Sequence, residues 1–146
     1  MALTKVQSEM AGVGQVLQVV NATGTSQIST ASTSLVTTGF SASITPKFSN
    51  SKIYVVFMGR LFNNTTNADA SLAIYRGATN IQNAKSLYNQ AGAIAALQTL
   101  SVLDAPATTS STTYTMYFAT SLGTTYINVN GASDGTYSIT LMEIAA

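Results

Sequence analysis

The sequence predicts an all-β fold, a jelly-roll-like antiparallel β-sandwich preceded by an extended N-terminal arm. Three observations lead there. β-branched and aromatic residues are abundant, and Gly, Asn, Asp and Ser interrupt them at short intervals, which is the pattern of many short strands. Several segments alternate apolar and polar residues with period two, and none holds a convincing helical period. Roughly eight to ten such strands are most economically arranged as two packed sheets of a jelly roll.

The elements follow in order. Residues 1–13 are read as an attachment arm and 14–146 as one domain. The opening MALTKVQSEMAG is too polar for a secretory signal, since Thr4, Lys5, Gln7, Ser8 and Glu9 break any apolar run. Ala2 in place of Gly removes a myristoylation signature. Gly12 and Gly14 are expected to act as a hinge into the first strand, residues 14–20. After a Thr/Ser-rich segment, residues 34–44 form the next strand, ended by Pro46, which cannot donate to a ladder.

Residues 51–62 (SKIYVVFMGRLF) make the strongest strand. Ile53, Val55, Phe57 and Leu61 line one face, and Tyr54, Val56, Met58 and Phe62 the other. A strand apolar on both faces is covered on both, which implies a core on one side and a neighbour on the other. Residues 63–70 (NNTTNADA) carry no apolar anchor larger than Ala and read as an exposed loop. A strand at 71–75 and a turn at 76–80 follow. The Ala-rich stretch from Ala91 is assigned to strand because Leu100 and Val102 alternate towards Pro106. Residues 112–120 and 124–130 alternate in the same way. Asp134–Gly135 is a tight-turn pair before the last strand, where Tyr137, Ile139 and Leu141 oppose Ser138, Thr140 and Met142.

Composition bounds the function. The 146 residues suit one domain, and only 8% of them are charged, with a net charge of +1. That gives no field to attract nucleic acid and little colloidal protection for a monomer, so the chain is expected to oligomerise. Tyr54, Val56, Phe57, Met58, Tyr137, Ile139 and Leu141 are the candidates for the subunit interface or core. The longest apolar stretch, residues 91–103, is too short for a bilayer span and contains Gln98, so no membrane insertion is expected.

With neither His nor Cys, the commonest general base and the thiolate nucleophile are absent, and the acids Glu9, Asp69, Asp104, Asp134 and Glu143 are dispersed. A non-enzyme without metal or cofactor is the expectation. The glycines at 12 and 14 lack the third glycine and the helix of a dinucleotide loop. One binding feature stands out: Asn63, Asn64, Thr65, Thr66, Asn67 and Asp69 offer neutral hydrogen-bonding groups suited to the hydroxyls of a host surface glycan, with Tyr88 and Tyr126 as possible stacking faces. Asn and Thr are also ordinary turn residues.

Five stretches carry a family likeness: the opening segment running into GQVLQVV, residues 37–55 (TTGFSASITPKFSNSKIYV), 74–81 (IYRGATNI), 104–118 (DAPATTSSTTYTMYF) and 138–146 (SITLMEIAA). In that order they resemble small virion structural proteins of tailed bacteriophages, particularly aquatic ones. The resemblance implies a homotrimeric module on the virion surface, assembled in the bacterial cytoplasm beside other capsid or tail proteins. It implies a capsid decoration or a tail-fibre component. In that setting Leu3, Thr4, Lys5, Val6 and Met10 of the arm are the expected particle-docking residues.

Overall fold

The computed structural model describes residues 12–146, and the particle-docking residues Leu3, Thr4, Lys5, Val6 and Met10 lie outside the described residues. Among the described residues ten strands are present: β1 (Val16–Gly24), β2 (Ile28–Thr30), β3 (Val36–Ile44), β4 (Lys52–Asn63), β5 (Ala68–Arg76), β6 (Thr79–Asn89), β7 (Ile94–Asp104), β8 (Thr112–Thr120), β9 (Thr125–Ile127) and β10 (Tyr137–Ile144). All pairings are antiparallel.

One sheet runs β1–β10–β4–β7. The short β9 takes the place of β10 beside the far end of β4, and β2 pairs with β9. The other sheet runs β3–β8–β5–β6. Between β2 and β8 the chain crosses from one sheet to the other at every connection except the β5–β6 hairpin. β1 nonetheless lies beside β10, at the opposite end of the described chain. That alternation is the winding of a jelly roll.

β4 sits at the centre of the first sheet because it can be covered on both sides. Its Ile53, Val55, Phe57 and Leu61 are fully buried against Leu72, Ile74, Met116 and Phe118 of the facing sheet. Gly59 shares that inner face, and a Cβ there would meet the Phe57 ring at 2.7 Å, so the ring occupies the space a side chain would need. Tyr137, Ile139 and Leu141 of β10 belong to the same core, with Tyr137 edge-on to Phe40 at 4.7 Å between ring centroids. These three and Phe57 are therefore core residues of the single chain. Of the interface candidates, only Tyr54, Val56 and Met58 face outward.

Several expected boundaries move. β6 and β2 had no counterpart in the sequence reading. The expected loop at 63–70 shrinks to residues 64–67, because Asn63 ends β4 and Ala68 starts β5. The segment at 124–130 is strand only over Thr125–Ile127, and a single 3₁₀ turn, Gly131–Asp134, precedes the last strand in place of a tight hairpin. Gly14, expected as a hinge, is tied down: its N–H donates to the Ala145 carbonyl at 2.8 Å, and Ala145 N–H donates to Gln15 O at 2.9 Å.

Candidate functional site

Strand register decides what each sheet presents to solvent, since directly opposed residues share a face. On the β1–β10–β4–β7 sheet, Val19 lies opposite Met142, Met142 opposite Tyr54, and Tyr54 opposite Leu103. Two rows along, Met58 stands between Ser138 and Thr99. Arg60 follows opposite Leu97, and then Phe62 opposite Tyr126, the two rings 6.0 Å apart. Among the described residues, Val16, Val19, Tyr54, Met58, Leu97 and Leu103 are the larger part of the exposed bulky apolar side chains, and all lie on this one face. Its cations are Lys52 at one end and Arg60, which pairs with Asp134.

The outer face of β3–β8–β5–β6 is built differently. Ser43 lies opposite Thr113, their hydroxyls 2.7 Å apart, and Ser41 lies opposite Thr115. Tyr75 and Tyr117 stack at 3.9 Å amid these hydroxyls. Beyond them the floor drops to Ser71 and Ala119, which oppose each other. A shallow groove of about 400 Å³ opens there, flanked by Thr33 and Leu35 on one side and Asn83 and Lys85 on the other. It continues over Asp69 and Ser121. Lys85 Nζ donates to Asp69 Oδ2 at 2.6 Å, so the one cation and one anion of the groove are paired.

The acids all have structural partners among the described residues. Asp104 accepts both contacts of Arg76 (3.0 and 2.8 Å) and the Tyr114 hydroxyl at 2.8 Å, tying β5, β7 and β8 together at one end of the core. Burial first, and then the Asp104 carboxylate, push the Tyr114 phenol well above its ordinary value; burial also raises Tyr137. Asp134 is held below the usual carboxylate range, chiefly by the Asn130 backbone N–H, with the Asn130 amide and Arg60 adding to it against some desolvation. Glu143 is fully buried. It accepts the backbone N–H groups of Lys47 (2.7 Å) and Phe48 (3.3 Å) and the Gln18 amide (2.6 Å), which pins the turn after β3 to the first sheet.

The candidate receptor loop is divided by the fold. Asn63 is buried, and its amide donates to Thr120 Oγ1 and Thr125 Oγ1 at 3.1 Å each while its carbonyl accepts Thr65 N–H at 2.7 Å. It is a structural hub and leaves the receptor set. Asn64, Thr65, Thr66 and Asn67 remain at the tip, with Thr65 packed so closely on Gly123 that a Cβ there would collide with it. Asp69 faces the groove of the other sheet. Tyr126 rests on Phe62, and Tyr88, half exposed, lies opposite Asp69. Nothing in the sequence announced the groove, since its walls come from β5, β6, β8 and the connection between β2 and β3.

Solved structures share this fold. The chain is similar to VP2 of infectious bursal disease virus in its subviral particle, with a TM-score of 0.55 and 13% identity over 88% of this chain and 32% of that one. It is similar also to a mutant VP2 protein of that virus in derived T=1 particles, with a TM-score of 0.50 and 13% identity, covering 100% of this chain and 41% of that one. The shared feature is the fold. It is a viral jelly roll in both neighbours. The chain thus spans well under half the length of these VP2 chains. No family model and no curated protein matches the sequence.

Proposed function

We propose that this chain is a non-enzymatic structural protein of a bacteriophage virion, a homotrimer displayed on the particle surface as a capsid decoration or tail-fibre component. The observation that carries this reading is the apolar outer face of the β1–β10–β4–β7 sheet on a jelly-roll frame. Monomeric proteins rarely expose a contiguous apolar patch above a few hundred Å², and larger ones mark interaction sites. Here the apolar row Val19, Met142, Tyr54 and Leu103 runs across four strands, and Val56, Met58 and Leu97 extend it among hydroxyls with few charges, so the face suits an obligate subunit contact, of the kind that buries more than about 2,000 Å² in total. The solved neighbours of the same fold come from viral particles, which agrees with a role in a shell or appendage.

The acids support a structural assignment. Asp69, Asp104, Asp134 and Glu143 are each engaged by neighbouring donors, which leaves no described carboxylate free for proton transfer. Residues 1–13 dock the trimer on its partner in the particle, and assembly takes place in the bacterial cytoplasm. Three arms on one trimer raise the effective concentration of each for its site.

Sedimentation velocity at micromolar concentration tests the assembly. A trimer is expected, and a folded monomer overturns the subunit contact. Adding the full chain and a form lacking residues 1–12 to particles depleted of the protein tests the arm. The shortened form is expected to stay trimeric and to fail to load, and equal loading overturns the docking role.

A further inference from the structure

We propose that the groove on the outer face of the β3–β8–β5–β6 sheet is a binding site for a neutral polysaccharide chain. The inference is independent of how the trimer sits on the particle. Its first support is shape. The groove exists because its floor is made of Ser71 and Ala119 while its flanks carry Leu35, Asn83 and Lys85, and its volume of about 400 Å³ falls within the usual range of small-ligand sites. It is shallow and open along its length through Asp69 and Ser121, which suits an extended chain passing through and not a compact molecule enclosed in a pocket.

The second support is chemistry. The Thr33 and Ser71 hydroxyls and the Asn83 amide converge on the groove, and none of them hydrogen-bonds to another side chain or backbone group among the described residues. The groups around them are already committed: Ser121 Oγ accepts Asp69 N–H at 2.7 Å, and Lys85 holds Asp69. The groove therefore offers uncommitted donors and acceptors beside a neutralised ion pair. Among the described residues a phosphate or carboxylate ligand would find no unpaired cation there, and an apolar anchor would find no deep pocket. Adjacent hydroxyls of a sugar match both the free amide and the paired carboxylate–ammonium, while Ala119 and Leu35 can take the C–H face of a pyranose ring.

The third support is the aromatic setting. Tyr88 is half exposed and lies directly opposite Asp69, so it shares the sheet face just beyond the Asp69 end of the groove. Tyr117, stacked on Tyr75, stands one row beyond Ala119 on β8. Aromatic side chains thus share the sheet face with the hydroxyl-lined trough beyond each of its ends. This displaces the expected receptor role from the tip at residues 64–67, where Thr65 is occupied by packing on Gly123, to the sheet face below it.

The test uses the full chain against immobilised dextran, mannan, galactan and neutral lipopolysaccharide O-chains, with polyanionic alginate and heparin as comparison. Binding to at least one neutral glycan is expected. Asn83→Ala and Ser71→Leu are expected to weaken it at least tenfold with the melting temperature and oligomeric mass unchanged, while Thr66→Ala in the tip has no effect. Two substitutions are used because Ser71→Leu fills the groove and Asn83→Ala only removes a partner; either one alone keeping wild-type fold suffices. No binding to any neutral glycan, binding to the polyanions alone, or wild-type binding by the folded groove variants overturns the proposal. A loss with Thr66→Ala instead returns the role to the tip and also overturns it. Particle loading, measured in parallel, is expected to be untouched by the groove variants.

Discussion

Both sheets turn Ile, Leu, Val and Phe inward, yet they present opposite surfaces to their surroundings. β1–β10–β4–β7 shows Val19, Met142, Tyr54 and Leu103 in one row, while β3–β8–β5–β6 shows Ser43, Thr113, Ser41 and Thr115 around a single tyrosine stack. The contrast teaches that a two-layer protein need not be symmetric in purpose. One layer carries the apolar row on which the proposed subunit contact rests, and the other is lined with hydroxyls that suit water. The net charge of +1 fits this division, because solubility then depends on covering the first face and exposing the second.

The strongest way to break the comparison is to charge each face in turn. Tyr54→Glu with Leu103→Glu places two unpaired carboxylates in the apolar row and is expected to cost assembly about 4 kcal/mol or more, near a thousandfold in dissociation constant. Sedimentation should then find folded monomer. The matched pair Thr37→Glu with Thr113→Glu, on the hydroxyl face, should leave the mass unchanged. Dissociation by both pairs would show that the asymmetry has no part in assembly.

Smaller effects sharpen the comparison beneath the surfaces, where each sheet fastens one buried polar group. Tyr114→Phe under the hydroxyl-bearing sheet removes a hydrogen bond to a carboxylate and is expected to cost about 1.5–3 kcal/mol in denaturant unfolding. Because the folded phenol is raised above its ordinary 10.0, its share of stability is full below that pH. It is lost as the pH climbs towards the folded value, since the unfolded chain ionises first. The wild-type protein should therefore weaken above pH 10, and Tyr114→Phe should reduce that slope.

Glu143→Gln under the apolar sheet leaves one oxygen for the Lys47 and Phe48 N–H groups and turns an amide N–H₂ towards Gln18. It is expected to cost about 1–2 kcal/mol without altering particle loading. Least of all, Asn64→Ala at the exposed tip should stay within about 0.5 kcal/mol of wild type by thermal melting.

Much of the fold was legible because period-two patterning is local. The two-faced β4, the alternating β8 and the β10 face of Tyr137, Ile139 and Leu141 all stand out within windows of a dozen residues. β6 escaped because an edge strand of the hydroxyl-bearing sheet needs little apolar alternation: Thr79, Asn80, Asn83, Ala84 and Lys85 are all exposed. Asn63 was misplaced for a related reason. An asparagine beside NTT reads as loop, and only the distant Thr120 and Thr125, which satisfy its amide, make it a core residue. The candidates for interface or core divide for a related reason, since the pattern identifies two faces of β4 but not which one the rest of the chain covers. The groove was invisible, because Ser71, Asn83 and Ala119 meet only through the pairing of three strands, and Thr33 reaches them from the connection before β3.

The pairing of β1 with β10 has a mechanical consequence. Val16 lies beside Ile144 and Gly24 beside Tyr137, so the start of one strand and the finish of the other lie at the same corner, clasped by Gly14, Gln15 and Ala145. A pull applied between that start and that finish loads these hydrogen bonds one after another, as in opening a zip, and each yields at low force. A pull applied between the corner and the broad flank of the sheet instead loads many bonds in parallel. Tension entering along residues 1–13 is thus best borne when the opposite anchor is a neighbouring subunit and not the chain's own last strand.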